Sequence, residues 1–210
     1  MQMKHDAKIK LIQSAIEVFA EKGYRDGKIA SIVKGAGANI AAVNYHFGSK
    51  DQLFVEALRQ SFADADEVYP SKGDLTDSAT AEEKIATLAR AVLVRSFDEG
   101  KAGNFNRIMS RTMHVPGSPV EMILTEVEGF ELKYLSGVLA EFLETRSTQL
   151  IGWAVAIFLS LATMISKCPV GVKEHLFSKE PKQSQINAMI DSQIEAIFAA
   201  LKAIPKEFPK

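Results

Sequence analysis

Apolar residues recur along this chain at spacings of three and four, and no stretch of any length alternates with a period of two. That pattern predicts helices throughout, because three-to-four spacing lines one helix face while strands need strict alternation. The first stripe is Ile9, Leu11, Ile12, Ala15, Ile16, Phe19 and Ala20, which predicts a helix over residues 7–22 closed by Gly23. A short helix follows at 28–35 and ends at Gly35. Ala36-Gly37-Ala38 reads as a tight turn, in which Gly37 can take a positive φ at little cost. Asn39 is a natural N-cap for the next short helix, Ile40 to Phe47. Ser49-Lys50-Asp51-Gln52 is a capping box that opens a long helix to about Tyr69, and Pro70 stops it.

Residues 70–79 form a polar linker, where a domain boundary would fall most naturally. A second capping box, Thr80 to Glu83, starts a helix to about Glu99, with Gly100 and Gly103 as punctuation. Another helix is predicted at 104–114. Ser118-Pro119-Val120-Glu121 combines an N-cap, proline at the first helical position and glutamate at the third, and so opens a helix to about Glu144. Ser147 to Ser166 carries no charge and is about long enough to cross a membrane. It also carries Ser147, Thr148, Gln149, Ser160, Thr163 and Ser166, and it has no second segment like it, so a buried helix over 147–167, apolar all round, is the better expectation. The last helix, 183–202, has a stripe of Ile186, Met189, Ile190, Ile194, Ile197, Phe198 and Leu201.

Composition narrows the function classes. With 210 residues, 47% hydrophobic and 24% charged, the chain can bury a sizeable core. One cysteine, Cys168, rules out an internal disulfide or a cysteine metal cluster and suits a reducing cytoplasm. The polar first ten residues are not a secretory signal. Net charge is −1, but residues 1–60 hold nine Lys/Arg against six Asp/Glu, a net of +3, and the remainder holds sixteen against twenty, a net of −4. A basic head on an acidic body suggests that only the head meets phosphate. His5, His46, His114 and His175 are scattered without metal-ligand spacing, and neither a nucleophile elbow nor a phosphate-cradling loop is present. An enzyme, a metal site and a cofactor are therefore not expected.

Three short helices with a glycine turn are the ingredients of a helix-turn-helix, in which one helix rests across the DNA backbone and the next enters the major groove. Val43 and Phe47, four apart, can anchor the second of these helices inward, with Ile32 and Ala36 as partners. Its other face carries Ile40, Ala41, Ala42, Asn44, Tyr45 and His46. Asn44 has the amide geometry that pairs with adenine, whereas Ile40, Ala41 and Ala42 can only touch thymine methyls or allow close approach. Lys50 falls at the first turn of the following helix, where a phosphate can meet both an ammonium and free amides. Lys4, Lys8 and Lys10 could reach adjacent phosphates. Each residue also has a plainer use: Tyr45 as packing, His46 as a structural histidine, Asn44 as an exposed helix residue, the three lysines as a solvated face.

Over about residues 8–57 the chain resembles the TetR family of regulators. The resemblance rests on Phe19-Ala-Glu-Lys-Gly-Tyr24, Ile32-Val-Lys-Gly-Ala-Gly37, Val43-Asn-Tyr-His-Phe47, Ser49-Lys50 and Leu53-Phe54 at these spacings. It implies an all-α fold, with an N-terminal three-helix helix-turn-helix domain over 1–50 joined by a long helix to a helical effector-binding and dimerisation domain over 51–210. It implies a double-stranded operator as partner, with Lys28, Asn39, Ile40, Ala41, Ala42, Asn44, Tyr45, His46 and Lys50 at the DNA surface. Two departures stand out: Gly27-Lys28 replaces the Thr or Ser that often opens the second helix, and Asn44 replaces a frequent aromatic.

A single helix-turn-helix covers few base pairs, so such modules work as symmetric dimers on palindromic sites. The resemblance implies a homodimer through the last helices, here about 147–167 and 183–202, although the same stripes would also serve one subunit's core. It further implies a small-molecule effector in the middle helices, where Phe97, Phe105, Met109, Met113, Phe130, Tyr134 and Trp153 are candidates for the lining, with Arg107, Arg111, His114 and Glu128 as polar groups. Plain core packing is the alternative for each. Most of the family repress, so a ligand-released repressor in the cytoplasm is the expected function.

Overall fold

The computed structural model describes residues 2–112, 115, 116, 119, 132–168 and 181–207, with side chains from residue 6 onward. Every regular element among them is helical. They group into two compact units: one formed by the chain up to Val68 with the segment beginning at Glu99, the other by Tyr69–Asp98 with the described residues from Leu132 on.

The first unit holds α1 (Gln2–Asp26), α2 (Ile29–Gly35), α3 (Ile40–Phe47), α4 (Lys50–Val68), a 3-10 turn at Lys101–Gly103 and α6 (Asn104–Thr112). α1 begins five residues earlier than the apolar stripe predicts. Its first turns hold Gln2, Met3, Lys4, Ala7 and Lys8, good helix formers, around His5 and Asp6, and no glycine or proline interrupts them, so the helix extends beyond its buried face. Gly23, at φ 73°, leaves helical geometry where the stripe was expected to close. Leu11, Ala15, Ile16, Phe19 and Ala20 are buried as the periodicity requires, but Ile9 is 45% exposed. They pack with Ile32 and Val33 of α2, Val43 and Phe47 of α3, Leu53, Phe54, Ala57 and Leu58 of α4, and Phe105 and Ile108 of α6.

The second unit holds α5 (Ala81–Phe97), α7 (Lys133–Phe142), α8 (Thr148–Ala162), α9 (Met164–Lys167) and α10 (Gln183–Lys202). The capping box of α5 forms in both halves: Thr80 Oγ1 accepts from the Glu83 amide at 3.2 Å, and the Glu83 carboxylate accepts from the Thr80 amide at 2.8 Å. Segment 70–79 is non-helical, as its composition requires, yet Ser71 within it is buried beneath the fully buried Arg95. Arg95 donates to Tyr69 O at 2.7 Å and to Ser71 Oγ at 2.9 Å. The predicted continuous helix 147–167 is instead broken at Thr163, whose hydroxyl donates back to Leu159 O at 2.5 Å. Such back-bonding competes with the backbone ladder and bends helices.

That uncharged segment is also not buried all round. Leu150, Ala154, Phe158, Ala162 and Ile165 face the core, while Gly152, Trp153, Ala156, Ser160 and Met164 are exposed. Ile190, Ile194, Ile197 and Leu201 of α10 complete the second core with Ile85, Leu88 and Leu93 of α5 and Leu135 and Leu139 of α7. The start of the predicted helix 118–144, with Ser118 and Glu121, lies outside the described residues. No described helix is long and apolar enough to cross a membrane, and no described group of three His, Cys, Asp or Glu could hold a metal ion.

Candidate nucleic-acid interface

α2 ends in a pair of bonds that reverse the chain at once. The Ala38 amide donates to Val33 O at 2.9 Å and the Gly37 amide to Lys34 O at 3.3 Å. This is a Schellman closure, which requires a left-handed residue at its centre. Gly37 supplies it at φ 61°. Ser14, buried in α1, donates its hydroxyl to Ile32 O at 2.9 Å and ties α2 to the scaffold. Asn39 then caps α3, its side-chain oxygen accepting from the Ala42 amide at 2.9 Å. The capping residue is therefore spent on the helix terminus, which sets where α3 begins and which face it turns outward.

α3 is amphipathic in the sense its motif required. Val43 and Phe47 are buried in the first unit's core, and Ala42 packs against its edge. Ile40, Ala41, Asn44 and Tyr45 are exposed, Tyr45 by 70% and Ile40 by 57%. A tyrosine ring and a branched aliphatic thus stand on the outward face of this one short helix. Tyr45 and His46 stand edge to face with centroids 4.9 Å apart, and His46 is half-buried. Lys28, exposed, occupies the N-cap position of α2 without capping it by its side chain, so its ammonium is available to solvent. Lys8 lies with Nζ 5.9 Å from the Phe47 ring centroid, beside α3, while Lys10 is exposed.

Lys50 opens α4 and is half-buried. Its Nζ lies 4.4 Å from the Tyr24 ring centroid and donates to Arg25 O at 3.4 Å. Burial lowers its pKa, while Asp51 and Asp26 act in the other direction. The Tyr24 hydroxyl donates to the Asp51 carboxylate. Burial, followed by that bond and the charge of Asp51, pushes the Tyr24 hydroxyl up to about 12. The Ser49 hydroxyl accepts from the Gln52 amide at 3.2 Å, so the cap expected from sequence is formed on this side. Tyr24 and Asp51 were legible only as family spacing and as part of a capping box. Their partnership joins residues 27 apart, which no local pattern signals.

The described residues among those expected around an effector belong to both units. Phe105 and Met109 belong to the first unit's core, where Phe105 meets Phe62 edge to face at 5.3 Å. Phe97 and Tyr134 pack at the edge of the second core. Trp153 is 53% exposed on α8. Met113 and Phe130, like His114 and Glu128, lie outside the described residues. Arg107 donates to Glu99 O, Gly100 O and Asn104 Oδ1 at 3.1, 2.6 and 2.8 Å, which ties down the turn before α6. Arg111 is exposed. Helical spacing marks a residue as facing a core without saying which core, and here the stripe divides.

A capped short helix, set by a glycine turn on two supporting helices and exposing an amide, a phenol and small side chains, defines a helix-turn-helix DNA-binding module. Residues 11–57 match the family model described as bacterial regulatory proteins, tetR family. The chain is a TetR-family transcriptional regulator, with the all-helical fold of that non-enzymatic family. It is 25% identical over 147 residues to the fatty acid metabolism regulator protein of Bacillus subtilis, covering 69% of this chain and 72% of the relative. It is 34% identical over 53 residues to the repressor NicS of Pseudomonas putida, 25% of each chain. Among solved structures, the regulator FadR of Bacillus subtilis, in complex with stearoyl-CoA, superposes with a TM-score of 0.65 at 17% identity, covering 95% of this chain and 99% of that one. A regulator from Rhodococcus sp. RHA1 gives 0.59 at 20% identity, covering 96% and 99%.

Proposed function

We propose that this regulator is a homodimeric repressor that grips a palindromic operator through α3 and is released by a long-chain acyl-CoA. The observation that carries the DNA half is the face of α3, where Asn44, Tyr45 and Ile40 stand exposed over the buried Val43 and Phe47. In this reading Asn44 reads a base edge, and Ile40, Ala41 and Ala42 allow close approach to thymine methyls. Tyr45, His46, Lys28 and Lys50 hold phosphates. Asn39 fixes the register of the helix through its cap. Residues 1–50 serve as the DNA-binding domain and 51–210 as the effector and dimerisation domain, acting in the cytoplasm where the operator is.

The effector half is supported by the relative from Bacillus subtilis, whose resemblance spans 147 residues and so runs well past the DNA-binding segment. A solved regulator with this fold holds stearoyl-CoA. Repression is released if the ligand binds the DNA-competent arrangement more weakly than another. The dimer is supported by α8, which presents Gly152, Trp153, Ala156 and Ser160 to solvent, and by α10, which presents Ala188, Ser192, Ala196 and Ala199. Small residues around one large aromatic let two helix pairs approach closely.

The test is fluorescence anisotropy on a duplex selected from a random library, titrated with acyl-CoAs of increasing chain length. Release by long chains and none by free CoA is the expected result. Stable binding at saturating acyl-CoA would refute the effector assignment, and a monomer by light scattering at micromolar concentration would refute the dimer.

A further inference from the structure

We infer that Tyr24 and Asp51 are positioning residues for DNA binding, which act by holding the Lys50 ammonium at the mouth of α4. The inference rests on the reading of Lys50 as a phosphate contact. Tyr24 itself is held from two sides. Its ring stands edge to face with Phe54 at 5.2 Å and stacks beside Phe19 at 6.4 Å, and both phenylalanines are fully buried. Its hydroxyl is fixed by the Asp51 carboxylate. With the ring plane set by the core and the phenol set by Asp51, one face of Tyr24 is left for Lys50, whose Nζ stands 4.4 Å from the centroid. Arg25 O supplies a second anchor at 3.4 Å.

The consequence for binding is one of cost. A free lysine loses substantial rotamer entropy when a phosphate immobilises it. A lysine already held on a ring face and a carbonyl has lost much of that freedom before DNA arrives, which is how preorganisation raises affinity. An ammonium has three donors. With one directed at Arg25 O, others remain for a phosphate lying against the α4 N-terminus. Asp51 would repel that phosphate if its carboxylate swung toward the helix mouth. Bonded to the Tyr24 hydroxyl, the carboxylate is kept aside and part of its charge is satisfied.

The experiment is a double-mutant cycle in the full chain, read as affinity for a fluorescent mixed-sequence duplex at low salt. Lys50→Ala measures the contact, Tyr24→Leu removes the ring, and Tyr24→Phe keeps the ring but frees Asp51. Thermal melts confirm that each variant is folded. Tyr24→Leu is expected to weaken binding roughly three- to tenfold, the scale of immobilising one long side chain. In the Lys50→Ala background it should weaken binding no further. Tyr24→Phe serves as the gentler variant should Tyr24→Leu fail to fold, and Asp51→Asn should restore part of what Tyr24→Phe loses. If Tyr24→Leu costs as much in the Lys50→Ala background as in the native one, the ring acts through the fold and the inference is overturned. If Lys50→Ala leaves mixed-sequence affinity unchanged, the phosphate contact itself fails, and the positioning role fails with it.

Discussion

Gly35 closes α2 where that helix crosses α1, and the crossing offers a sharp energetic test. A β-carbon added at Gly35 would overlap Ser14 Oγ, whereas Ser14 Cβ stands at 3.4 Å, an ordinary contact distance. Ser14 is buried, and its hydroxyl donates to Ile32 O at 2.9 Å. Gly35→Ala must therefore drive that hydroxyl from its rotamer and break its bond. The lost bond costs about 1 kcal/mol, and crowding the buried Ser14 adds about 1 kcal/mol or more. Alanine recovers up to about 1 kcal/mol of helix propensity, and less than that at a last helical residue. The net expectation is a loss of about 1–2 kcal/mol. Ser14→Ala removes the obstructing oxygen without orphaning the carbonyl, because Ile32 O still accepts from the Ala36 amide at 3.0 Å. In that background Gly35→Ala should become neutral or stabilising, a coupling of about 1–3 kcal/mol. Equilibrium urea unfolding of the four corners of the cycle measures it. Additive losses, or a Gly35→Ala single variant as stable as the native chain, would refute the crossing as described.

The remaining expectations concern the turn, the second unit and the buried phenol. At Gly37 a β-carbon meets nothing within 4 Å, so Gly37→Ala should cost only its left-handed backbone, about 1–2 kcal/mol by urea unfolding, and Gly37→Asn distinctly less. Arg95→Met keeps most of the aliphatic stem but strips the donors from Tyr69 O and Ser71 Oγ, so a loss of about 2–4 kcal/mol is expected; a change under about 0.5 kcal/mol in the urea midpoint would contradict the clamp. The Tyr24 hydroxyl is raised from 10.0 to about 12 in the folded chain, so its stabilisation is complete below pH 10.0. It is lost as pH climbs toward 12, because the unfolded chain ionises first. Tyr24→Phe should flatten the alkaline fall in stability, and an unchanged fall would assign it to other groups.

The DNA-binding module was legible because its signals are local. The Gly37 turn, the Asn39 cap and the Val43–Phe47 pair each lie within a few residues of what they organise, and each forms as its residue types require. Which core each described effector candidate joins was not legible in the same way. Phe105 and Phe97 carry the same stripe signal, yet one enters the first core and the other borders the second, because periodicity records that a face is covered and not by what. Trp153 shows the converse: an aromatic within an uncharged helix suggests burial, but its angular position on α8 turns it outward. The break at Thr163 depends on one hydroxyl choosing a backbone acceptor, and the Tyr24, Asp51 and Lys50 cluster depends on α1 and α4 meeting end to end. Neither leaves a trace in hydrophobic spacing.

The account stands on α3 as the DNA-reading surface, and Asn44→Ala tests this most directly. Affinity should be measured by fluorescence anisotropy at one fixed salt concentration on two duplexes, the selected operator and a mixed-sequence control. Loss of a base-reading amide should weaken the operator complex by about 1–3 kcal/mol, roughly five- to 160-fold, and leave the control unchanged. Equal losses on both duplexes, or no loss on either, would contradict it.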